Sequence, residues 1–134
     1  MPITSESTPL LSPRMAARSL WKAGALLVSF GMIAGAFGSH GLKKRDHITS
    51  DQLQAFGTAA NYAIYNGLGL LALSLHPKAA RYRTSGLAIL AGGAIFSGSI
   101  IALVLHRDRF RFLGPVTPLG GLVMIGGYLS LVFL

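Results

Sequence analysis

The sequence predicts an all-α integral membrane protein, a compact bundle of four transmembrane helices at about residues 23–41, 50–75, 85–105 and 117–134. Composition comes first: of 134 residues 51% are hydrophobic and only 12% charged, against about a quarter charged in an ordinary soluble domain. The spacing of the charges is more informative. No charged side chain lies between Lys22 and Lys43, between Asp51 and Lys78, between Arg83 and Arg107, or after Arg111, which leaves uncharged runs of 20, 26, 23 and 23 residues. A helix rising about 1.5 Å per residue needs roughly 20 apolar residues to cross about 30 Å of hydrocarbon. A soluble bundle would instead carry charge on the outer face of every helix.

The chain divides into two parts. Residues 1–22, rich in Ser, Thr and Pro, read as a flexible tail, and residues 23–134 as the transmembrane domain. All 17 glycines fall in the second part. The first helix ends in GAFGSHGLKKR, residues 35–45, where His40 stands between glycines just before three cations. A cleaved secretory signal is the competing reading of this helix, but its leader is long and contains Glu6, and its apolar run exceeds a usual signal core. Thr49 followed by Gln52 is a capping box that starts the second helix, and His76-Pro77 stops it. The third helix has no such signals and rests on its apolar run. The fourth opens at TPLGG, with Thr117 as N-cap and Pro118 at the first helical position.

An even number of spans puts both termini on one side of the membrane, without saying which. The tail and the 76–84 loop carry six Lys and Arg residues, and so do the other two loops together, so the positive-inside rule has no preference. In the tail, Glu6, Leu10 and Leu11 fit an acidic dileucine sorting signal, which would place both termini in the cytosol and the protein in a vacuolar or lysosomal membrane. A mitochondrial presequence is the second reading, weakened by Pro9 and Pro13. With the cations confined to the tail and loops, the net charge of +8 speaks for lipid headgroups as partners and not for nucleic acid.

Helices in lipid associate through close approach of small residues. Candidates are Gly31 and Gly35 in the first helix, Ala59, Ala63 and Gly67 in the second, Ala94 and Gly98 in the third, and Gly120 and Gly127 in the fourth. Polar residues concentrate in the second helix: Thr58, Asn61, Tyr62, Tyr65 and Asn66. At this depth they are expected to face protein or water, either as interhelical hydrogen bonds or as the lining of a small pathway. His40 and Thr117 lie on the same side of a four-span bundle and could approach each other. The sequence has no cysteine, no carboxylate inside any span and no paired histidines, so neither a metal site, a cofactor nor a catalytic constellation is expected.

GAFGSHGLK, FSGSI and LGPVTPLGG, in that order across residues 24–134, resemble the transmembrane protein 256/YgdD-like family of small membrane proteins, a domain of unknown function. The resemblance implies a four-helix integral membrane protein and implies no activity. His40 matches the family motif, whereas Ser39 stands where relatives usually have Ala and Asn66 where many have His. The function expected is therefore non-enzymatic: a structural or assembly subunit or a lipid-interacting bundle, acting alone, with copies of itself or within a larger membrane complex. A minimal oligomeric transporter or channel is the alternative.

Overall fold

A computed structural model describes residues 13–133. The described residues form four α-helices: α1 (Pro13–His40), α2 (Ser50–Ser74), α3 (Arg83–Leu105) and α4 (Val116–Phe133). Short 3-10 turns at Leu42–Lys44, Ala79–Tyr82 and Arg111–Leu113 connect them. Glu6, Leu10 and Leu11 lie outside the described residues.

Successive helices are antiparallel. Gly24 and Gly38 of α1 lie against Gly67 and Phe56 of α2, and Gly86 and Gly93 of α3 against Leu73 and Asn66 of α2. Gly92 meets Gly120 where α3 packs on α4, and Gly127 meets Ile89. The α1–α2 and α3–α4 loops therefore share one end of the bundle, which we call the loop end. Stretches of three helices, Pro13–Lys44, Ala79–Leu105 and Arg111–Phe133, are long and apolar enough to cross a membrane. Their outer surface is what lipid requires: Leu26, Ile33, Leu119, Leu122 and Val132 are each 60–74% exposed.

Among the described helices α2 alone falls short on composition, because polar residues interrupt its apolar run. It has the length, 25 residues, and lies antiparallel between α1 and α3. Where its neighbours cross, α2 crosses with them. Its start is fixed as the sequence leads one to expect: Gln52 donates its backbone N–H to Thr49 Oγ1 at 3.1 Å, and Thr49 donates its own to Gln52 Oε1 at 2.9 Å.

Two apolar clusters close the bundle. Leu20, Leu70, Leu73, Ala79 and Ile89 fill the end near the start of α1. Ala34, Leu42, Phe56, Ala60 and Val104 fill the loop end. The Leu42–Lys44 turn buries Leu42 completely while Lys43 and Lys44 stay outside, so the basic loop is pinned from within.

Three expectations are corrected. The first helix starts at Pro13 and not near Ala23, so residues 13–22 belong to the bundle. Proline suits a first helical position, and the ten added residues are amphipathic: Ala16 and Leu20 are buried while Arg14, Arg18 and Lys22 point outward. Helix α4 starts at Val116, one residue before the expected cap, so Thr117 lies inside it. Ala94 and Gly98 of α3 are exposed, and nothing lies within 4 Å of where a methyl at Gly98 would be. The face of α3 that packs is the opposite one, with Gly86, Ile89, Gly92, Gly93 and Ser97 buried.

Candidate functional site

The polar residues of α2 divide between two faces. On the inner face Ala59, Ala63, Asn66, Gly67 and Leu70 are buried, Gly67 against α1 and Asn66 against α3 and α4. Asn66 is only 1% exposed and joins α2 to α4. Its Nδ2 donates to Met124 Sδ at 2.9 Å, and Tyr128 Oη donates to its Oδ1 at 2.9 Å. Two glycines make room for this group. A methyl at Gly93 would lie 2.6 Å from Asn66 Nδ2, and one at Gly69 would lie 2.5 Å from Tyr128 Oη. An amide, a thioether and a phenol make a cross-brace between helices and contain no carboxylate–imidazole pair for proton transfer.

The outer face holds the rest. Gln54, Thr58, Asn61 and Tyr65 follow one another at steps of four, three and four residues, which places them on one stripe of the helix. Asn61 is exposed and Tyr65 is 56% exposed. None of the four side chains makes a hydrogen bond among the described residues. Tyr62 sits at the border, its ring edge-on to Tyr65 at 5.5 Å and to Phe96 at 5.3 Å between centroids. Thr58, Asn61, Tyr62 and Tyr65 thus do not turn inward as a group; Asn66 does. The physical reason is the 100° step of the helix. Once Ala59, Ala63 and Gly67 occupy the narrow contact, residues 58, 61 and 65 fall on the far side.

At the loop end, Thr117 Oγ1 lies 2.5 Å from Ser99 Oγ and also donates to the Leu113 carbonyl at 3.4 Å. It ties α4 to α3. His40, the last residue of α1, is exposed and has no hydrogen-bond partner among the described residues. The structure does not join it to Thr117.

Of the small residues singled out, a methyl at Gly31 would lie 2.7 Å from the Ala60 carbonyl oxygen, whereas a methyl at Gly35 would meet only Ala60 Cβ at 3.8 Å. Gly120 and Gly127 line the contact of α4 with α3. Gly24, Gly92, Gly93, Met124, Tyr128 and several serines make further contacts, beyond those expected from the sequence. Ser97 donates to the Ala59 carbonyl at 2.7 Å, and Ser85 and Ser130 pair at 2.5 Å. One signal was available: Gly24, Gly31 and Gly38 recur every seven residues along α1.

The family model described as "Protein of unknown function (DUF423)" matches residues 34–121. The chain is 40% identical over 123 residues to the UPF0382 membrane protein C1782.12c of Schizosaccharomyces pombe, covering 85% of this chain and 98% of that protein. It is 34% identical over 111 residues to the UPF0382 membrane protein SH2409 of Staphylococcus haemolyticus, covering 81% of this chain and 88% of that one. With the UPF0382 membrane protein YwdK of Bacillus subtilis the identity is 34% over 113 residues, covering 81% and 89%. No solved structure matches.

Proposed function

Since the chain belongs to the DUF423 (UPF0382) family of membrane proteins, we propose that it is a non-enzymatic assembly bundle that pairs with a second copy of itself along the outer face of α2. The observation that carries this is the outward row Gln54, Thr58, Asn61 and Tyr65, four polar side chains with no hydrogen-bond partner among the described residues. In hydrocarbon such groups seek protein or water. The row's spacing is that of a helix–helix seam, and an amide is both donor and acceptor, so Asn61 can bond to Asn61 of a second copy across a two-fold axis.

The test is the native mass of the protein in mild detergent and its cross-linking in liposomes. The wild type should be dimeric, and Asn61→Leu should be monomeric with its fold intact, since Asn61 touches no neighbour in the chain through a hydrogen bond. A monomeric wild type sinks the reading. The same row also favours a second one, a minimal oligomeric transporter in which two copies enclose a wet path. Solute-specific flux in liposomes that Asn61→Leu abolishes would establish that reading over the structural one.

The membrane we propose is vacuolar or lysosomal, on the strength of the Glu6, Leu10, Leu11 signal, with the mitochondrial membrane as the alternative. Targeting of a C-terminally tagged chain that survives Leu10→Ala with Leu11→Ala would remove the signal's role.

A further inference from the structure

Where α2 begins, α3 ends and α4 begins, the helices part and leave a cleft of about 700 Å³. That is within the range of about 300–1,000 Å³ in which proteins hold small molecules. The inner wall is hydrocarbon, from Ala55, Ile100, Leu103 and Val104, and the rim carries Arg107 and Arg111. The cleft therefore changes from apolar along the last turns of α3 to cationic in the connection that follows it. The apolar span Ala79–Leu105 ends between the wall and Arg107, where headgroups are expected to replace acyl chains.

Neither arginine is committed to the protein. Arg111 Nη2 stands 3.9 Å from Asp108 Oδ1, with side chains 80% and 100% exposed, a contact that water leaves weak. Arg107 has no ion pair among the described residues. Asp51 also reaches the rim, but it occupies the first turn of α2, where a carboxylate faces the free N–H groups of its own helix. The loop end as a whole carries six cations against three carboxylates, Asp46, Asp51 and Asp108.

We infer that this cleft binds an anionic phospholipid, its phosphate between Arg107 and Arg111 and one acyl chain along Ile100, Leu103 and Val104. A guanidinium matches phosphate oxygens with two parallel N–H donors, and two of them on one rim suit a single phosphate. A free anion would use the rim and leave the apolar wall bare. A neutral lipid would use the wall and leave two guanidiniums without a counter-charge. Only an amphiphile with an acidic head uses both. The inference is independent of the pairing of α2.

The test is native mass spectrometry of the delipidated full chain, titrated with phosphatidylglycerol and with phosphatidylcholine of the same acyl chains. One phosphatidylglycerol should bind about tenfold more tightly than phosphatidylcholine. Arg107→Gln with Arg111→Gln, both at exposed positions, should abolish that preference. Lys44→Gln with Arg109→Gln removes the same charge at residues that do not line the cleft and should retain it. Equal loss in the two double variants would mean diffuse attraction and overturn the site. Glycerol 3-phosphate and inorganic phosphate should fail to displace the lipid; displacement by either would make this a free-anion site and overturn the lipid assignment.

Discussion

Gly24 of α1 and Gly67 of α2 meet backbone to backbone: a methyl on either would lie 2.7 Å from the carbonyl oxygen of the other. The backbone nitrogens of Leu71 and Val28 lie 2.9 and 2.7 Å from the same two methyl positions, so much of the obstruction is main chain, which cannot swing away as a side chain does. The α1–α2 pair is held by backbone proximity, the mode of association expected where lipid gives helices no hydrophobic reason to meet.

Replacing Gly67 with Leu should therefore lower the thermal midpoint in detergent, with an overpacking cost of about 1–3 kcal/mol or more. Gly98→Leu provides the contrast, because open space surrounds Gly98 and its midpoint should stay at the wild-type value. Equal losses in the two variants would contradict the packing described above.

The Asn66 brace yields a second pair of outcomes. Tyr128→Phe removes one interhelical hydrogen bond and should cost about 0.6 kcal/mol in denaturant titrations, the usual worth of such a bond in a membrane. Gly93→Ala should cost more, about 1–3 kcal/mol, because the amide it strikes is held on both sides by Met124 and Tyr128. A silent Gly93→Ala would mean that Asn66 is not held there.

His40 and Thr117 should behave differently from each other. His40→Ala is expected to leave both thermal midpoint and native mass unchanged, as the imidazole is exposed and without a partner among the described residues. Thr117→Val loses the Ser99 contact and should cost about 0.6 kcal/mol. A large fall in midpoint for His40→Ala would show a contact that the exposed position does not account for.

Much of the architecture was legible in the sequence, because charge is the costliest thing to leave in hydrocarbon and its spacing marks each helix. The capping box of α2 was equally readable, being a local interaction between Thr49 and Gln52. The start of α1 was hidden by averaging. Serines and prolines of residues 1–12 masked the four-residue step of Arg14, Arg18 and Lys22 and the inward Ala16 and Leu20. The inner face of α3 was ambiguous for another reason. Ala94 and Gly98 form a row of small residues, but so do Gly86, Gly93 and Ser97, and only the partner helix selects between them. Likewise Tyr65 and Asn66 are neighbours in sequence, yet one turns outward and the other in.

The weak hydropathy of α2 has a consequence for how the protein is made. Synthesis delivers α1 first, and α2 follows after a connection that the buried Leu42 already folds back on it. A helix that does not enter lipid readily by itself can enter as half of a hairpin, with Gly24 and Gly67 in contact before the bilayer receives either. Glycosylation mapping of chains ending after Ser74 should find α2 inserted when α1 is intact and left outside when Gly24 is replaced by Leu. The unit that the insertion machinery accepts is then the α1–α2 pair.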